Sequence, residues 1–347
     1  CSAPPIWVSS LRCRRSISCA EMGIFDWLRR RKTEKPPVHA SSEPEQIQEA
    51  SEPDPPQEEE RVSLFSDSGT QVQIDRASWR KVLLNKFSED RDDPEKLFAA
   101  LVTAIKDDLV DDCEAAARRL LQIDPEHRRA TTLLAHVLTQ TGKADEAEGL
   151  LLASLAEHGE DAVVRNNLAK VYAVRGEDDR VLETLRECLE LDPNEENSLQ
   201  WWVAIKRERE GEEAARELLR EIAERDGSWR ASIWLARMEI EEGQIEIAVS
   251  RFRQVLASAS VDGEALTTIS GDLARAGHLD AAIELVDPVY EAQRHGPYAG
   301  LNLTMAHAQT GNLERARAVL DEVEALHRRD LLKHVQELRE QLDQLSG

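Results

Sequence analysis

Apolar and polar positions change rhythm along this chain, and each rhythm predicts a different element. Over residues 62–73, VSLFSDSGTQVQ alternates around Ser68-Gly69, the pattern of a small hairpin, and residues 77–87 then take up helical spacing. At the carboxyl end Leu331, Val335, Leu338, Leu342 and Leu345 recur at steps of four, three, four and three. Such a stripe covers one face of a helix and is too short for a coiled coil. No run of about 18 uncharged apolar residues occurs, so the pattern holds no helix able to cross a bilayer.

Between these ends the punctuation is periodic. Gly142, Gly176, Gly211, Gly243, Gly277 and Gly311 are separated by 34, 35, 32, 34 and 34 residues. Five residues after four of them stands alanine (Ala147, Ala248, Ala282, Ala316), and four further on an apolar residue (Leu151, Phe252, Val286, Leu320). Ala215 and Leu219 follow with a slip of one, while Val181 and Leu185 keep the apolar spacing without the alanine. Asp124-Pro125 and Asp192-Pro193 lie 68 apart, twice the period. Glycine permits a left-handed turn after one helix, alanine lets two helices approach closely, and Asp-Pro ends the second. Each unit is therefore predicted to be a helical hairpin.

With Leu168-Ala169-x-x-Tyr172 and Ala248-x-x-x-Phe252 in place, the chain resembles the tetratricopeptide repeat family. The likeness covers residues 94–327, about seven units, the first with Asp108 where the turn glycine is expected. The family's tryptophan is mostly missing, and several units replace its first glycine. A single hairpin cannot bury its apolar faces alone, so stacked units share one core and need capped ends. The resemblance implies an all-α, right-handed superhelical solenoid, with residues 328–347 as a capping helix and residues 61–93 as a small hairpin plus helix leading in.

Composition changes the picture at the amino end. The 347 residues carry 44 Lys and Arg against 67 Asp and Glu, a net charge of −23. Residues 36–60 hold six prolines, eight acids and no Lys or Arg, and read as a disordered linker. Residues 1–35 sum to +5, which leaves −20 on residues 61–347. Because the sequence starts at Cys1 and reaches Met22 only later, residues 1–21 read as an upstream extension or a trimmed precursor remnant and are set aside from fold reasoning. Cys1-Ser2 also resembles the start of a bacterial lipoprotein. Residues 22–32, MGIFDWLRRRK, place apolar side chains beside four cations and suit a peripheral contact with anionic lipid. Met22-Gly23 fails as a myristoylation start because Trp27 stands where Ser or Thr is needed.

Strong acidity argues against nucleic acid as a partner, because duplex binding draws mainly on Lys and Arg contacts to phosphates, and none is expected. Five cysteines form no CxxC pair and no ligand-spaced cluster with histidine, so neither metal nor cofactor is expected. A reduced cytoplasmic chain follows, with membrane association through residues 22–32 as the alternative, and the acidic, Ala-rich, Arg-over-Lys composition looks bacterial. There is no phosphate loop, nucleophile elbow or His-Glu-x-x-His pair, so no enzymatic activity is expected. His136 and His307 read as lone surface or groove histidines, and Cys113 and Cys188 as small buried residues of second helices.

In this family the first helix of each hairpin lines a concave groove, so the resemblance implies which positions meet a partner. They include Arg129, His136, Asn166, Lys170, Asn197, Arg207, Arg230, Arg237, Arg275 and Tyr298, with Trp201 and Trp234 as candidate anchors and Trp202 assigned to the core. Six basic residues at lining positions face three acidic ones (Glu208, Glu241, Glu264), where the overall charge ratio gives nearly four basic in nine. The family's carboxylate clamp is not formed: Asn167 matches its middle element, but Thr132 and His136 precede it and Asn197 and Trp201 follow. The 93 residues before the repeats are too few for the catalytic domain of the family's glycosyltransferases. The expected function is a non-enzymatic scaffold or adaptor that holds an extended, acidic protein segment in the groove. The alternative is a membrane-associated assembly factor tethered by its amino-terminal segment.

Overall fold

In a computed structural model, residues 61–65, 71–257 and 261–345 are described. The basic segment, the proline-rich linker and the Ser68-Gly69 turn lie outside the described residues. The chain divides into two compact units, one ending at Thr184 and the next beginning at Leu185.

In the first unit, strands β1 (Arg61–Phe65) and β2 (Gln71–Asp75) pair antiparallel, with Arg61 opposite Asp75 and Phe65 opposite Gln71. Helix α1 (Arg76–Glu89) starts at once, because the Asp75 carboxylate accepts the Ser78 amide at 2.8 Å and satisfies a donor that the first turn leaves free. Trp79 Nε1 donates to Asp107 at 2.6 Å and Arg80 pairs with Asp112 at 2.5 Å. These contacts tie α1 to the first repeat. The repeats follow as α2 (Pro94–Lys106) with α3 (Glu114–Ile123), α4 (His127–Gln140) with α5 (Ala144–His158), and α6 (Ala162–Arg175) with α7 (Asp178–Leu191).

The second unit continues with α8 (Glu196–Glu210) and α9 (Glu212–Ala223), α10 (Arg230–Glu241) and α11 (Ile245–Leu256), and α12 (Gly263–Arg275) and α13 (Leu279–Val286). A short α14 (Ala292–His295) precedes the last pair, α15 (Pro297–Gln309) and α16 (Leu313–Glu324), and α17 (Leu332–Gln344) closes the unit. Apart from the leading hairpin the described chain is all-α, an array of helical hairpins. The repeated alanines Ala147, Ala215, Ala248, Ala282 and Ala316 are buried where second helices press closest.

Turn chemistry explains the irregular periods. Gly176 takes φ +74°, and the Glu177 amide reaches back to the Tyr172 carbonyl at 2.9 Å, closing α6. Asp108 adopts φ +57° at the equivalent place, a conformation its short polar side chain tolerates. At Gly211, ψ is 177° and α9 begins on the next residue, whereas α7 begins two residues after Gly176. This shorter connection accounts for the one-residue slip at Ala215.

Two details correct the sequence-based expectation. Cys113 is not inside a second helix but is the residue before α3, where its thiol donates to the Leu109 carbonyl at 3.3 Å and burial pushes its pKa up to about 12. On α17, Val335, Leu338 and Leu342 pack with Leu331 against Leu301, Met305, Leu320 and Val323. Leu345 falls beyond the last turn and is 60% exposed, so it does not belong to that stripe.

Candidate partner-binding face

The expected lining residues fall on first helices, Arg129 and His136 on α4, Asn166 and Lys170 on α6, Asn197 and Arg207 on α8, Arg230 and Arg237 on α10, Arg275 on α12 and Tyr298 on α15, but many of those side chains are already occupied. In the first unit Arg129, on α4, pairs with the fully buried carboxylate of Asp124 at 2.6 Å and with Glu95 at 2.5 Å, and lies 5.0 Å over the Phe98 ring. These two carboxylates hold its guanidinium well above the ordinary arginine pKa. His136 is 7% exposed, with no hydrogen bond at Nε2. Burial and the nearby Lys170 charge push its pKa down to about 4, so it is a neutral imidazole at neutral pH. Asn166 on α6 is 1% exposed, and Lys170 is half-buried.

In the second unit Asn197 is turned toward the Glu195 cap at 3.2 Å, and Arg207 pairs with Glu212 at 2.6 Å. Arg230 is 8% exposed, donating to the Asn194 carbonyl at 2.7 Å and to Glu264 at 2.9 Å while lying over the Trp229 ring. Arg237 and Arg275 both bind Asp272, whose side chain is buried on α12. Tyr298 is half-buried against the core beneath α17.

The expectation that His136, Asn166, Trp201 and Arg230 line an open surface is therefore corrected, since each is buried. So is the surface placement of His307, whose Nε2 lies 2.9 Å from Asp287, itself bound by Arg315 at 2.7 Å. Burial of Asp287 opposes its ionisation, but the hydrogen bonds from Arg315 and His307 outweigh it and hold the carboxyl below its usual range.

The tryptophans exchange roles for a geometric reason. Adjacent residues on a helix point about 100° apart, so Trp201 and Trp202 cannot both face inward. Trp201 is 1% exposed and Trp202 is half-buried, the reverse of the expected assignment. Trp234 is also half-buried, and both indoles rest on the cluster of Leu199, Val203, Leu219 and Leu235. Trp202 and Trp234 stand 32 residues apart, the same step as Gly211 to Gly243, and so occupy equivalent positions of consecutive first helices.

Sequence reasoning missed Trp202, Met238 beside Trp234, and above all Asp272. A signal for Asp272 existed, because acids and arginines about one period apart meet across hairpins: Arg129 with Glu95, Arg230 with Glu264, Arg237 with Asp272. Among the described residues no three His, Cys, Asp or Glu side chains converge as metal ligands, and no helix is long and apolar enough to cross a membrane. Among the expected positions and their neighbours, the groups left partly accessible include the Trp202 and Trp234 indoles and the Arg237 and Arg275 guanidiniums.

Comparison with known proteins places this geometry in context. A family model described as tetratricopeptide repeat matches residues 110–164. Cellulose synthase operon protein C of Pseudomonas fluorescens is 28% identical over 227 residues, covering 60% of this chain and only 17% of that protein. Among solved structures, a tetratricopeptide repeat protein from Parabacteroides merdae is 16% identical, covering 73% of this chain and 99% of that one with a TM-score of 0.32. Pseudomonas aeruginosa pilF is 13% identical, covering 67% and 99%, with a TM-score of 0.31.

Proposed function

We propose that this tetratricopeptide repeat protein is a non-enzymatic scaffold that holds an extended segment of a partner protein along its first helices, acting in the cytoplasm. The observation that carries this is the pair Trp202 and Trp234. Both are only partly buried, at equivalent positions of α8 and α10, whereas Leu199, Trp201, Val203, Ile205, Ile233 and Leu235 on those helices are buried and Met238 and Ile240 share Trp234's partial exposure. Indoles held rigid by the core beneath lose little entropy on binding, which is why such residues anchor interfaces. Three of the six cations first assigned to the groove support an acidic partner less well than their number suggests, because Arg129, Arg207 and Arg230 are matched by carboxylates of the chain itself.

The test is capture of partners by the tagged full chain from native lysate, alongside Trp202→Ala/Trp234→Ala. A partner held by the parent chain and lost from the double variant, with unchanged thermal unfolding, supports the scaffold. The same partners on both chains would move the function off this face. No specific partner on either would remove the proposal.

A further inference from the structure

Arg237 and Arg275 differ from the other arginines of this face. Arg129 spends its donors on two carboxylates, Arg207 has Glu212 to itself, and Arg230 is tied to a backbone carbonyl and Glu264. Asp272, by contrast, serves two guanidiniums with one carboxylate: Arg237 Nε binds Oδ2 at 2.5 Å, and Arg275 Nη2 binds Oδ1. The local sum is two positive charges against one negative. Neither arginine has a second carboxylate within ion-pair distance among the described residues, and Glu241, one turn beyond Arg237, pairs with neither. Their remaining N–H groups make no hydrogen bond to described residues, and the side chains are 38% and 45% exposed.

The carboxylate that orients them is itself buried, so the pair is preorganised rather than two loose surface chains. Arg237 and Arg275 take opposite oxygens of Asp272, and the guanidinium donors that Asp272 leaves unused are the ones a second carboxylate would take. Guanidinium donors match carboxylate oxygens in geometry as well as charge. Trp234 lies one turn before Arg237 on α10 and is only partly buried against the core.

We propose that Arg237, Arg275 and Trp234 form a recognition site for an internal Glu or Asp side chain of a partner segment, with the apolar neighbour of that acid resting on the indole. This deepens the scaffold reading above and depends on it. A free chain terminus is not required, and the surplus positive charge stands against an otherwise acidic chain that repels acids elsewhere.

The probe is a peptide of four Leu-Glu-Pro units, acetylated and amidated so that only side-chain carboxylates remain, with a Leu-Gln-Pro twin. Binding to the full chain is followed by tryptophan fluorescence and calorimetry at low salt. The Glu peptide is expected to bind about tenfold or more tighter than the Gln twin, the scale of a charged hydrogen-bonded contact. Arg237→Gln and Arg275→Gln each abolish that preference, Arg275→Lys retains part of it, Trp234→Ala weakens both peptides alike, and Arg207→Gln changes nothing. Circular dichroism checks that each variant is folded. Equal binding of the two peptides, an Arg207→Gln loss as large as the other two, or no binding of either peptide would overturn the site. Partner capture dependent on Trp202 and Trp234 would survive any of those results, so the two proposals fail separately.

Discussion

Gly300→Ala is a sharp test of how tightly the last hairpin is packed, because local propensity and tertiary packing push in opposite directions. A β-carbon added at Gly300, within α15, would lie 2.3 Å from Tyr290 Oη and 2.6 Å from Val323 Cγ2. Tyr290 is buried and its hydroxyl donates to the Gly296 carbonyl at 2.9 Å, so the ring cannot yield without losing that bond. Replacing glycine by alanine in a helix gains about 1 kcal/mol. Overpacking costs about 1–3 kcal/mol and the tyrosine hydrogen bond about 1 kcal/mol more. The net expectation is a loss of about 1–3 kcal/mol. Gly149, in α5, is the matched control, being exposed with nothing within 4 Å of an added β-carbon, so Gly149→Ala should gain up to about 1 kcal/mol. Repeats couple mainly to their neighbours, so urea unfolding by circular dichroism is paired with native-state hydrogen exchange on peptides from residues 290–323 and 144–158. A Gly300→Ala chain as stable as the parent, or a Gly149→Ala chain destabilised to the same degree, would refute the packing argument.

Other expectations follow from single side chains. His136 is held neutral, with its pKa pushed down to about 4 from 6.5, so the unfolded chain takes up a proton that the folded chain refuses. Stability from this group is present above pH 6.5 and falls as pH drops toward 4, by about 1 kcal/mol per pH unit at most; His136→Gln should flatten that slope in pH-dependent denaturation. Leu338→Ala opens a cavity under α17 and should cost about 2–4 kcal/mol, read as lost exchange protection over residues 332–344 before the rest of the hairpin. The Cys113 thiol, buried and pushed up to about 12, should resist iodoacetamide at pH 8 in the native chain and react after urea, as peptide mass spectrometry would show.

How much of this was legible in the sequence depended on whether a feature was local or shared between hairpins. Glycine spacing revealed the repeat because the left-handed turn is a property of one residue, and Asp108 was found by the same spacing although it is not glycine. The capping stripe was legible except at Leu345, since periodicity alone does not say where a helix stops. Side-chain facing within a helix was harder. Trp201 and Trp202 differ by one position, and only the packing of α8 decides which of them the core receives. Charge was hardest. Counting cations on the first helices overstated the positive face because the neutralising acids lie about one period away, on other helices, where a count along one helix does not meet them.

That misreading has a physical consequence for recognition. An exposed ion pair contributes on the order of 0–1 kcal/mol, and where one partner is buried, as Arg230 and Asp272 are, desolvation offsets much of the attraction, so these pairs are a poor account of what holds the array together. Their larger effect is on what a partner encounters. Arg207 and Glu212 present a dipole, and a carboxylate approaching such a pair must compete with one already in place. Where two arginines share the single carboxylate of Asp272, an incoming acid adds to the arrangement without displacing anything. On the proposed reading, discrimination along a repeat array of this kind comes from unequal pairing: matched cations stay silent, and the surplus at Asp272, one turn from the partly buried Trp234, is where an acidic segment would gain by stopping.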